Sequence, residues 1–173
     1  SDDLIIDKNV YAVQPTMVDG EYLVINNEKE LMWLCFYGAT VSGVTYNKVR
    51  LGQSIDMGVF SLVSLPAMKL NAGVEIDGNN KSITGLNIEE ESSSIFGDTN
   101  NLNIHDLTLI DCSVKSSLQT GAGILVGMVS TGLTVDNVTF NNCSVVAPRM
   151  IGLVAGYLEN GSFNISNVAA NGG

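Results

Sequence analysis

Apolar and polar residues recur in the same order in two stretches 31 residues apart. Residues 104–114 read IHDLTLIDCSV and residues 135–145 read VDNVTFNNCSV. Superposed, they match Leu107 with Val138, Leu109 with Phe140, Cys112 with Cys143 and Val114 with Val145. A partial third copy, ISNV, starts at Ile165. Between the copies stand GILVG at 123–127 and GLVAG at 152–156, with a fainter forerunner in Ile95-Phe96-Gly97. A fixed period of this length predicts stacked structural repeats. Within each copy, Leu107 and Leu109 alternate with Thr108, and Val138 and Phe140 alternate with Thr139. Such alternation with β-branched and aromatic residues predicts short strands, and the Gly, Asn, Asp and Ser at their ends predict turns. No single repeat can bury its apolar face alone, so each must cover the next.

Two architectures fit the spacing. The string Ile-x-x-Leu-x-Leu-x-x-Cys-x-Val matches a leucine-rich repeat, which needs a helix or comparable convex segment in the remainder of each unit. Those remainders, residues 115–131 and 146–161, are rich in glycine, and the second contains Pro148. Both residue types disfavour a helix interior. The runs ILV and LVA read as further short strands, which favours an all-β, right-handed parallel β-helix with about one turn per repeat.

Upstream the pattern is less regular. Asp19-Gly20 reads as a turn and residues 21–25 as a strand. Residues 26–38 form the one convincing helix, with Asn27 as cap, Glu30 at the capping-box position and Gly38 as terminator. Leu31, Leu34 and Cys35 make its inner face, and it is expected to cap the exposed first turn of the solenoid. The alternative is a binding surface carrying Trp33. Residues 46–51 carry strand character, and residues 59–70 suggest strand–turn–strand. Asp77-Gly78 reads as a tight turn, and residues 89–94 as a solvated loop. The whole is read as one domain, 1–173, with a cap and irregular coils over 1–73 and regular coils over 74–173.

GILVG and GLVAG, each followed by a turn and a strand of the type I/V-x-N-V or I-x-D-L, resemble the GLUG-motif repeats of bacterial surface and secreted proteins. Residues 74–88 (VEIDGNNKSITGLNI) resemble the β-helix turn that precedes such repeats. The resemblance covers roughly the last hundred residues. It implies a β-helix displayed outside the cell or on its outer surface, with a lipid anchor as one means of attachment, and it implies no chemistry.

Composition narrows the partners. The net charge of −10 argues against nucleic acid and anionic membrane, which require basic patches. No apolar run approaches bilayer-spanning length. Ser1-Asp2-Asp3 reads as a start just after a cleaved leader or as an arbitrary boundary. The last copy stops before its second strand is finished, so the expectation is either that the natural chain continues or that another copy covers the open end, since an uncovered edge invites end-to-end or edge self-association.

Candidate chemistry is sparse. Cys112 and Cys143 share a repeat position and read as a ladder of small buried side chains rather than half a metal site. His105 is the only histidine. It neighbours Asp106, lies one coil from Asp136, and reads as a surface residue. Asp106, Asn137 and Asn167 occupy one corner position and read as an Asx-turn ladder rather than calcium ligands. No carboxylate pair of the kind glycan hydrolysis uses is evident among Asp98, Asp106, Asp111 and Asp136. Tyr157 reads as outward-facing, and Tyr11, Tyr22, Tyr37 and Tyr46 place any ligand site in the N-terminal half. The expectation is a non-enzymatic module that binds protein or glycan, with no catalytic residue, cofactor or metal assigned. A glycan-active lyase or hydrolase, or a structural stalk, stands as the alternative.

Overall fold

The computed structural model describes residues 11–60 and 63–172. Strands account for 48% of it, arranged as a parallel β-solenoid of about five turns with one helix near the N-terminus. The long sheet runs Met17–Asp19, Tyr22–Ile25, Lys48–Leu51, Glu75–Thr84, Leu102–Ile110, Gly132–Asn141, Ser162–Asn171, with Ile55–Asp56 also pairing Glu75–Thr84. Its first pair is an antiparallel hairpin through Asp19-Gly20, and the later pairs are parallel. A second wall stacks Asn87–Ile88, Ser113–Lys115 and Ser144–Val146. The third joins Ala122–Gly123 to Ile151–Gly152 and Val126–Val129 to Ala155–Leu158. No helix occurs within the repeats among the described residues, which removes the leucine-rich-repeat alternative.

The corners explain the repeat string. A strand of strict period two would point Ile104 and Leu107 to opposite faces. Both are buried, because Asp106 between them has φ +56° and resets the phase. Asp111, at φ +52°, does the same between Leu109 and Cys112. Each x-x gap in Ile-x-x-Leu-x-Leu-x-x-Cys is thus a left-handed corner. Asn137 and Asn142 repeat the pair one coil later, and Asn167 and Gly172 repeat it again. Asn and Asp tolerate this conformation better than other side chains, and Gly adopts it freely. Between corners, like side chains sit rung on rung: Leu23, Val49, Ile76, Ile104 and Val135 are successive partners in the long sheet and all are buried. Burying each such side chain is worth about 1.5–3 kcal/mol.

GILVG and its copy form the corner of the third wall. Ile124 and Leu125 are wholly buried at a bend, stacked by backbone bonds on Ile95-Phe96 below and on Leu153 above. The forerunner at 95–97 is therefore a true coil. The terminal glycine of GLVAG, Gly156, is required by close approach: a Cβ there would lie 2.3 Å from the backbone nitrogen of Ala122.

The helix spans Glu28–Tyr37. The Asn27 side chain accepts from the backbone N–H of Glu30, and the Glu30 carboxylate accepts from that of Asn26. Gly38, at φ +78°, closes it with a bond to the Leu34 carbonyl. Leu31 and Leu34 meet Val49, Leu51 and Met68 in the dry interior, as a cap should. Met32 is also buried, which the inner face read from sequence omitted.

Several local readings need correction. Asp77-Gly78 is no tight turn: it lies inside the Glu75–Thr84 strand, at a bulge that shifts register between Asp77 and Lys81. Gly78 is needed there because a Cβ would lie 2.2 Å from the Asp106 carbonyl oxygen. Residues 59–70 do not form strand–turn–strand. They hold the end of a 3₁₀ turn, Gly58–Phe60, and one bridge from Leu65 to Ile88, with 61–62 outside the described residues. Ser93 and Ser94, read as part of a solvated loop, are buried, with hydroxyls bonded to Asp98 and the Gly97 carbonyl. The reading of residues 1–3 lies outside the described residues. In the last coil, Ile165 and Val168, equivalents of buried Val135 and Val138, are 42% and 36% exposed.

If the corners hold the coil together, Asn137→Ala should destabilise by about 1–2 kcal/mol through forced left-handed geometry. Asn137→Gly should cost less, since glycine takes φ +55° without strain. Urea unfolding of the two variants beside the parent checks the order.

Candidate functional site

The register that stacks the core also stacks the outer face of the long sheet. One outward row pairs Tyr22, Lys48, Glu75, Asn103, Thr134 and Asn164 in turn. The neighbouring row pairs Arg50, Asp77, His105, Asp136 and Ser166. Where these rows cross the bulge at Asp77, a connected group of polar side chains forms.

Arg50 anchors one side. Its guanidinium lies 3.8 Å from the Tyr22 ring centroid, its Nε donates to Asp77 Oδ2 at 2.8 Å, and its Nη1 donates to Asp19 Oδ2 at 2.9 Å. Lys48 pairs with Glu21 at 2.8 Å. The Tyr22 hydroxyl donates to Glu75 Oε2. The same Glu75 oxygen lies 3.4 Å from His105 Nε2. On the other edge of the ring, His105 Nδ1 lies 2.8 Å from Asp106 Oδ2 and 3.7 Å from Asp77 Oδ1. His105 thus sits among carboxylates drawn from two successive strands. It faces outward, as read from the sequence, and its side chain is half-buried among these carboxylates at 24% exposure.

Burial by itself disfavours the imidazolium, but hydrogen bonds to Asp106 and Glu75 and the charge of Asp77 outweigh it and raise the pKa above the usual value. Asp106 is held below the ordinary carboxylate range by the amide of Asn137 and then by His105. Asp136 is likewise lowered, by the Asn167 amide and the Ser166 hydroxyl. The corner ladder exists, but its side chains bond from coil to coil: Asn137 Nδ2 donates to Asp106 Oδ1 and Asn167 Nδ2 to Asp136 Oδ1, each at 2.7 Å. The expected Asx bond to backbone occurs at Asp77, whose Oδ1 accepts from the Asn79 N–H at 2.7 Å.

Sequence reasoning placed Asp106 and Asp136 beside His105 but missed Glu75, Asp77 and Arg50. The 31-residue period could not find them, because Asp77 pairs with His105 across only 28 residues. The usable signal was the alternation of Glu75 and Asp77 about Ile76. Cys112 and Cys143 are free, buried and adjacent, as the ladder reading expected. The hydrogen bond between the two thiols pushes Cys112 up, together with burial, and pulls its partner Cys143 down to about 7, while burial raises Cys35 to about 12. Cys112 and Cys35 are therefore not ready thiolates at neutral pH. Tyr157, 40% exposed, faces outward on another wall, away from this group.

Comparison with protein-family models, curated proteins and solved structures returned no match. The parallel solenoid is therefore established by its own geometry.

The raised His105 pKa makes a pH prediction. Protonated His105 should stabilise the fold fully below its unfolded value of about 6.5, and that contribution should be lost as pH rises through the higher folded value. Thermal melts from pH 6 upward should show this decline in the parent and a flatter profile in His105→Gln.

Proposed function

We propose that the chain is a non-enzymatic binding module, displayed outside the cell, whose outer long-sheet face contacts protein or glycan. The observation that carries this reading is the pair of outward rows pinned from coil to coil. Arg50 on Tyr22, and His105 among its carboxylates, are held before any partner arrives, which lowers the ordering cost of association. A sheet face of this kind meets an extended partner along its length. Tyr22 and Arg50 belong to the residue types that most often anchor such contacts. Display outside the cell is supported by the resemblance of GILVG and GLVAG to GLUG-motif repeats.

A glycan-active enzyme is the second reading, and the gathering of Glu75, Asp77 and Asp106 about His105 is what favours it. One experiment separates the two. The protein is applied to immobilised polysaccharides and extracellular-matrix proteins, and the same polysaccharides are assayed for new reducing ends or unsaturated products. The binding reading predicts saturable retention, weakened about tenfold or more by Arg50→Ala, with no product. Turnover that disappears in Glu75→Gln would overturn it.

A further inference from the structure

The geometry points to a divalent transition-metal site, of the zinc class, formed by Asp77, His105 and Asp106. Asp77 Oδ1, His105 Nδ1 and Asp106 Oδ2 are ligand atoms within 4.8 Å of one another. Nδ1 is 2.8 Å from the Asp106 oxygen and 3.7 Å from the Asp77 oxygen. Ligand atoms about 2.1 Å from a tetrahedral ion are about 3.4 Å apart, so the observed separations straddle the required one.

The shell outside these three residues also fits. Each carboxylate has one oxygen fastened by a donor from a neighbouring coil and the other turned toward the imidazole. Arg50 Nε holds Asp77 Oδ2 at 2.8 Å, and Oδ1, which also accepts from the Asn79 N–H at 2.7 Å, faces His105. Asn137 Nδ2 holds Asp106 Oδ1 at 2.7 Å, leaving Oδ2 toward His105. The far ring nitrogen, Nε2, faces Glu75 Oε2, itself engaged by the Tyr22 hydroxyl. A carboxylate behind a ligating imidazole fixes its tautomer and strengthens it as a ligand. The backbone contributes too: Asp106 is directed by its left-handed corner, and Asp77 by the bulge and its bond from Asn79. One imidazole with two carboxylates suits zinc or its neighbours better than calcium, which takes oxygen ligands alone. The three residues leave a coordination position for water or for a group of the bound partner. The site stands independently of the proposed binding function, since an ion can be held here whether or not a protein or glycan is.

His105 is the only histidine in the chain, so one imidazole reports the site without ambiguity. Tag-free, chelator-stripped protein labelled with nitrogen-15 is titrated with zinc chloride, and the two ring nitrogens are followed by long-range proton–nitrogen correlation. The expected result is saturation at one equivalent with the shift change centred on Nδ1. Isothermal titration should give the same stoichiometry, affinity roughly tenfold weaker in Glu75→Gln, and near-parent affinity in Asp111→Asn, at an exposed corner outside both outward rows. An unmoved imidazole, a change centred on Nε2, or equal weakening by Asp111→Asn would overturn the site. The readout on the parent protein needs no variant to fold.

Discussion

A parallel coil must turn without breaking its dry interior, and here that demand falls on a few residues in left-handed conformation. At Asp106, Asp111, Asn137 and Asn142 the backbone takes φ between +52° and +56°, and the alternation of side chains restarts with the next apolar residue inward. Without the reset, a strand would carry half its aliphatic side chains into solvent after the bend. With it, each stretch of strand delivers the same face to the core. The corner side chains also bond to one another between coils, as Asn142 does to Asp111 at 2.7 Å, so successive corners fix each other's positions.

The outer face inherits its order from the same stacking. Once core residues are held in register, their outward neighbours are in register as well. A side chain on one strand then has a defined partner on the next. This brings Arg50, Asp77 and His105 into line from three coils. The bulge after Asp77 adds a local feature that regular coils lack. It lets the Glu75–Thr84 strand pass close to Asp106, where only glycine fits at position 78. The polar group thus sits where the irregular first coils meet the regular ones. The helix closes the apolar end behind it, with Leu31 and Leu34 in the interior and Trp33 bonded through its indole N–H to the Thr40 carbonyl.

How much of this was legible depended on whether it repeated. Leu107 over Val138 and Val114 over Val145 follow from one offset, and the structure pairs them. The helix was legible because Asn27, Glu30 and Gly38 carry capping chemistry in their side chains. The site was legible only in part. Asp106 and Asp136 lie at the regular period from each other, but Asp77 and Arg50 lie in coils of different length, with pairing spacings of 28 and 27 residues. Coil length changes through bulges such as the one before Lys81, and nothing in Asp77-Gly78 distinguishes a bulge from a turn without the neighbouring strand. Ser93 and Ser94 misled for a similar reason: their hydroxyls are satisfied internally, so polarity did not mean exposure.

The central claim is that residues one repeat apart are direct neighbours along the solenoid. Methyl-to-methyl nuclear Overhauser contacts on selectively labelled protein test it most directly. Contacts should join Leu107 to Val138 and Ile104 to Val135, because paired strands lie about 4.8 Å apart. Leu107 and Val168, two coils apart, should give none of comparable strength. Absence of the 31-residue contacts, or strong Leu107–Val168 contacts in their place, would contradict the stacked coil.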